Sequence, residues 1–165
     1  MTVLIVAPLM VKMGIPVLTS HFFSLYYANI AFITPPIAIG AFVGAGIAQA
    51  SFWRVSFTAV RLAIVGFVIP VVFVYRPALL MFGSPVEIIW AMVACTLLAI
   101  LLASALEGWF FERLSIAERI LLGGTALALI PPNLPVNLAA VTLAILILLR
   151  QWLSTRTNKA ATLNQ

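Results

Sequence analysis

Thr34-Pro35-Pro36, within the stretch Ile33 to Gly40, is where this sequence exposes its backbone chemistry most openly. Each proline lacks an N–H and its ring collides with the preceding turn, so a helix arriving from Leu18 stops near Ile33 and leaves carbonyl oxygens without donors. At membrane depth an unpaired backbone group costs several kcal/mol, and such a break persists where it is buried in protein, lines a cavity or coordinates a cation. The Thr34 hydroxyl is one more hard oxygen beside those carbonyls. The incoming half-helix points its negative end at the break and favours a cation; the outgoing one, from Ile37 through Ala38 to Gly40, points its positive end and favours an anion. Thr34, Pro35, Pro36, Ile37, Ala38 and Gly40 are therefore the candidate binding residues, with Thr34 the candidate metal ligand. A plain proline kink, its carbonyls met by water or a neighbouring hydroxyl, fits the same residues.

Other chemistry is sparse. The chain has no Asp, no Ser/His/acid grouping, no His or Cys pair at metal spacing and no glycine-rich phosphate loop, so it reads as a non-enzyme without a cofactor. His21, the single histidine, lies one turn from the Gly14-Ile15-Pro16 turn and reads as interfacial. Asn29 reads as a helix–helix hydrogen bond, and Cys95 as a small buried hydrophobe.

The elements that must position the break follow from composition. Hydrophobic residues make up 64% of the chain and charged residues 8%, with a mean hydropathy of +1.21. A soluble domain carries roughly a quarter charged residues, so this is an all-α integral membrane protein, a polytopic helical bundle lying in the bilayer. The net charge of +5 belongs to topology and not to nucleic acid, because the arginines stand at the ends of apolar runs. Residues 1–50 read as the end of a re-entrant hairpin followed by a proline-broken discontinuous helix. Met1 to Val11 is apolar from the outset with Lys12 after it, which fits no cleavable targeting segment and looks like the second half of a re-entrant helix. Ser20, Ser24, Tyr27, Ala31 and Thr34 form one helical stripe of small or hydroxyl residues able to face other protein. Gly40 and Gly44 form a GxxxG pair that permits close helix approach.

Residues 51–106 read as an interfacial amphipathic arm and two membrane helices. Arg54, Thr58 and Arg61 recur on one side of the arm, amid Phe52, Trp53 and Phe57. Leu62 to Phe82 spans if Arg76 snorkels at its end, with a bend at Pro70, and Ser84-Pro85 opens a helix over Val86 to Leu106 carrying Glu87 in its first turn. Residues 107–150 hold a polar loop, a capping box at Ser115 to Glu118, and an apolar region cut by Pro131-Pro132-Asn133-Leu134-Pro135 into pieces each short of the ~20 residues a crossing needs. One broken span and a helical hairpin both fit. The positive-inside count favours the hairpin, which places seven basic residues against two with a cytoplasmic tail. Residues 151–165 read as a polar, frayed tail.

The run HFFSLYYANIAFITPPIAIGAFVGAGIAQA (His21 to Ala50), followed by the arginine-bearing arm and GFVIPVVFVYRPALLMFG (Gly66 to Gly83), resembles the C-terminal part of the large membrane subunit of TRAP transporters, the tripartite ATP-independent periplasmic transporters. EGWFFERLSIAERILL (Glu107 to Leu122) is similar to the C-terminal extension of the TAXI-type branch, in which small and large membrane subunits are fused. The resemblance implies a Na+-driven permease in the bacterial inner membrane. It would import organic acids delivered by a periplasmic substrate-binding protein, through elevator-like movement of a transport domain. Sodium is then the coupling ion, the break at Thr34, Pro35 and Pro36 belongs to the ion and substrate region, and the partners are the remaining permease half and a small membrane subunit. The rival readings are a non-transporting membrane scaffold or assembly subunit and an inactive truncated permease.

Overall fold

The computed structural model describes residues 2–110 and 112–163, with side chains described for 3–110 and 112–151. Among them the chain is all-helical, with α1 (Thr2–Lys12), α2 (Val17–Ile30), α3 (Ile39–Ile47), α4 (Phe52–Leu62), α5 (Ile64–Tyr75), α6 (Pro85–Glu107), α7 (Ile116–Ala128) and α8 (Leu134–Leu163), and a 3-10 turn over Pro77–Leu80. Two helices, α6 and the Leu134–Gln151 part of α8, are long and apolar enough to cross a membrane; α4 and α5, bent by 43° at their junction, make a third if counted together. The chain forms two compact units, Met1–Ala91 and Met92–Gln165.

In the first unit α1 packs on α2, α2 on α5, and α3 on α4. Gly14 takes φ +89° and ends α1 with paired bonds from Ile15 N–H to the Met10 carbonyl and from Gly14 N–H to the Val11 carbonyl, at 3.1 and 3.0 Å. That closure needs a left-handed residue, which glycine adopts without a Cβ penalty. Ser20 and Ser24 are buried on the inner face of α2, their hydroxyls donating to the carbonyls of Pro16 and Ser20 at 3.0 and 2.8 Å. The Tyr27 hydroxyl crosses to α5 and donates to the Phe67 carbonyl at 2.8 Å. It does so beside the place where Pro70 withdraws the donor that the Gly66 carbonyl would have used.

The region after the arm differs from its sequence reading. The helix ends at Tyr75, which makes α5 about 18 Å long and too short to cross alone. The arm ends at Leu62, where the sequence put its boundary, and α5 begins at Ile64 with Pro70 buried inside it. Arg76 is only 4% exposed, so it does not snorkel: Pro77 turns the chain into the 3-10 turn immediately after it and tucks the helix end inward. Asn29 also differs, its Nδ2 donating to the Leu25 carbonyl of its own helix at 3.0 Å and not to a neighbour. It sits on the exposed face of α2, where the i−4 carbonyl is the nearest acceptor.

In the second unit the buried seam of α6 is Leu98, Leu101, Leu102 and Ala105, and that of α7 is Leu122, Thr125 and Ala126. The α7 N-terminus carries the expected capping box: Ser115 N–H donates to Glu118 Oε2 at 2.9 Å and Glu118 N–H to Ser115 Oγ at 3.3 Å. Such caps are worth about 1 kcal/mol. The second oxygen of Glu118, Oε1, lies 3.6 Å from Arg150 Nη1, which sets the start of α7 beside the far end of α8's apolar part, so α7 and α8 run antiparallel. Helical backbone continues to Leu163, through the stretch whose polarity suggests fraying; its residues include Ala, Leu, Arg and Lys and neither Gly nor Pro, which is enough to carry a helix on.

Candidate functional site

α2 loses its regular pattern at Ile30 because the next residues cannot keep supplying donors. Phe32, Ile33 and Thr34 N–H shorten to 3-10 bonds on Asn29, Ile30 and Ala31, at 3.1, 3.0 and 3.3 Å. The carbonyls that Pro35 and Pro36 directly deprive of a helical partner are those of Ala31 and Phe32. Both are repaired: Ala31 by Thr34 N–H, and Phe32 by Gly40 N–H at 2.9 Å, reaching back from α3. Ala38 N–H returns to the Thr34 carbonyl at 3.0 Å, and the Thr34 hydroxyl donates to the Ile30 carbonyl at 2.9 Å. Along the connector from Ala31 to Ala38, the carbonyls without a hydrogen-bond donor are then those of Ile33, Pro35, Pro36 and Ile37. The free oxygens thus lie downstream of where the proline rule alone puts them.

The connector contains a cis Pro35–Pro36 bond and enters α3 through Ala38, which takes the left-handed conformation φ 34°, ψ 47° and is fully buried. A side chain there costs about 1–2 kcal/mol, held in place by the two bonds that flank it. Thr34 and Pro35 are half-buried, whereas Pro36, Ile37 and Gly40 are exposed. Pro36 and Ile37 form, with Ile39, Phe42 and Phe52, an apolar hollow of about 400 Å³. Phe42 and Phe52 meet edge to face across α3 and α4, with centroids 6.2 Å apart.

The glycines do separate work. A Cβ on Gly40 would lie 3.3 Å from the Phe32 carbonyl oxygen, while one on Gly44 would lie 3.9 Å from Val55 Cγ1 of α4. Of the GxxxG pair, only Gly44 faces another helix; Gly40 admits the connector's own backbone. Sequence reasoning put free carbonyls near Ile33, where one of them lies, and passed over Phe42 and Phe52 as site walls. The walls depend on how α3 and α4 pack, which spacing alone does not reveal. His21 is exposed on α2, outside the connector. Among the described residues no group of three His, Cys, Asp or Glu side chains is placed to hold a metal.

An all-helical chain with helices long and apolar enough to cross a membrane falls in the class of polytopic membrane proteins. It belongs to the family described as tripartite ATP-independent periplasmic transporter, DctM component, whose model matches residues 1–88, just over half of the 165 residues. The chain is accordingly a permease component of a TRAP transporter and lies in a transporter family, not an enzymatic one. No curated protein and no solved structure matches it.

Proposed function

We propose that residues 1–50 supply part of the ion and substrate site of a sodium-driven permease of the TAXI-type fused branch. It works in the bacterial inner membrane with its remaining permease half and small membrane subunit. Organic acids arrive on a separate periplasmic binding protein and cross by elevator-like movement of a transport domain in which α2 and α3 are the halves of one discontinuous helix. The α4 segment, with Arg54 and Arg61 exposed on one side and Trp53 and Phe57 exposed beside them, serves as the interfacial arm. The observation that carries this reading is the set of free carbonyls at Ile33, Pro35, Pro36 and Ile37, within the family-matched residues and next to the Thr34 hydroxyl. That hydroxyl spends its hydrogen on Ile30 and keeps its oxygen lone pairs for a cation. Hard neutral oxygens at the C-terminal end of a half-helix suit Na+, and the N-terminus of α3 suits the carboxylate of the cargo.

The test is Thr34→Val in the complete transporter. Losing one oxygen ligand costs roughly 1–3 kcal/mol, about 5- to 150-fold in the Na+ concentration for half-maximal uptake. A plain kink instead lowers membrane abundance and leaves the Na+ curve of the inserted protein where it was. An unshifted curve at matched abundance removes the connector from the ion site.

A further inference from the structure

We propose that the groove between the last turns of α6 and the first turns of α7 holds an acyl chain of a membrane phospholipid whose phosphate sits on Arg119. The groove encloses about 340 Å³, its walls including Leu102, Ala105, Leu106, Ile120 and Gly123, with Arg119 its one charged lining residue. Arg119 reaches back from the first turn of α7 to close the end of α6: Nε donates to the Ala105 carbonyl at 2.8 Å and Nη2 to the Leu106 carbonyl at 2.7 Å. Gly108, at φ +73°, makes room, since a Cβ there would come within 3.1 Å of the guanidinium carbon.

A guanidinium has five N–H donors, so three are left after these bonds. Among the described residues Arg119 meets no carboxylate: its neighbour Glu118 is occupied by the Ser115 cap and by Arg150. The cation also stands at the positive end of α7, where the helix dipole opposes it, offset in part by the terminal carbonyls of α6. A half-buried positive charge at the edge of an apolar trough calls for an anion attached to an apolar chain.

Depth selects the lipid. α6 has 23 residues and is about 34 Å long, slightly more than the hydrocarbon thickness of about 30 Å, so its Glu107 end reaches the headgroup layer. Trp109 just beyond is 61% exposed, as an interfacial aromatic anchor is. Phosphate and apolar trough thus fall at the depths where a phospholipid already carries its headgroup and its chain. A free anion would satisfy Arg119 and leave the trough unfilled.

The test uses the full chain, stripped of native lipid and mixed with dioleoyl phosphatidylglycerol in detergent micelles, with bound lipid counted by native mass spectrometry. Gly123→Leu puts a bulky side chain into the trough, its Cβ an ordinary 3.8 Å from the Ala105 methyl, and keeps the guanidinium of Arg119. Arg119→Gln removes the charge. Retention of a single lipid by the wild type, weakened about tenfold or more in each variant, is the expected result. If Arg119→Gln unfolds, Gly123→Leu at unchanged melting temperature decides. Equal retention in wild type and Gly123→Leu overturns the proposal. So does displacement of the lipid by inorganic phosphate alone, which would make Arg119 a site for a free anion.

Discussion

Two alanine substitutions four residues apart separate the connector from ordinary helix packing. Gly44 and Gly40 are both in α3, and alanine gains up to about 1 kcal/mol over glycine in a helix interior, less near an end. At Gly44 the new methyl meets Val55 Cγ1 at 3.9 Å, an ordinary contact, so Gly44→Ala should stabilise by about 0.5–1 kcal/mol. At Gly40 the new methyl meets the Phe32 carbonyl oxygen at 3.3 Å, the same atom that accepts the Gly40 N–H at 2.9 Å. That oxygen cannot retreat without stretching the bond that closes the connector. Losing much of a bond worth about 1 kcal/mol, and leaving a carbonyl underpaired at membrane depth, outweighs a propensity gain of about 0.5 kcal/mol near the helix start. Gly40→Ala is thus expected to destabilise by about 1 kcal/mol, a separation of about 1.5–2 kcal/mol between the variants. Thermal unfolding in detergent reads this as melting temperatures some 3–8 °C apart, at about 2–4 °C per kcal/mol for a chain of this size. On the function proposed above, Gly40→Ala in the complete transporter should also shift the Na+ dependence of uptake, and Gly44→Ala should not. Equal melting temperatures, or a more stable Gly40→Ala, would refute the claim that Gly40 is small on account of the Phe32 carbonyl.

Two further outcomes follow from the second unit. The Ser115 N–H, then the Ser115 hydroxyl and the Arg150 charge, hold the Glu118 carboxyl below its ordinary range, so its stabilisation is present above that range and lost as pH falls through the depressed value. Glu118→Gln keeps the box and loses the charge, costing about 0.5 kcal/mol at neutral pH; the gap in melting temperature should close on acidification past about 4.3, and a pH-independent gap would refute it. Cysteines at Ile116 and Leu149, both exposed, should be labelled from the same side of the membrane, because the Glu118–Arg150 contact brings those ends together; labelling from opposite sides would exclude the antiparallel pair in the bilayer.

Much of this architecture was legible because membrane helices are written in long apolar runs with few interruptions. The α6 run, the Ser115 box and the stop before Thr34-Pro35-Pro36 all depend on local rules that spacing obeys. What escaped depends on where the chain goes after it turns. Thr34 repairs the Ala31 carbonyl by a local 3-10 bond, but that Gly40 would repair Phe32 required knowing that the connector brings the first turn of α3 back to it. The left-handed Ala38 carries no glycine to announce it. Arg76 at a helix end looks the same in sequence whether it reaches outward or is tucked in by Pro77, and Arg119's grip on α6 crosses a loop that composition marks only as polar.

The exposed surface of α3 constrains how the site is completed. α3 has nine residues, about 13.5 Å of helix, so it cannot cross a bilayer whether or not α2 continues its direction. Its outward residues Ile39, Phe42, Val43 and Ile47 are exposed by 53–82%, and the free carbonyls of Ile33, Pro35, Pro36 and Ile37 lie immediately before them. Lipid would satisfy the apolar side chains and strand the carbonyls; water would do the reverse. A surface that alternates the two over so few residues is better matched by protein than by lipid or water alone. On the function proposed above, such a cover is the facing half of the permease, and the cation site is a composite one. In that arrangement, substitutions on α3's outer face such as Ile47→Ala act on transport through the fit of the cover and leave the oxygens themselves in place.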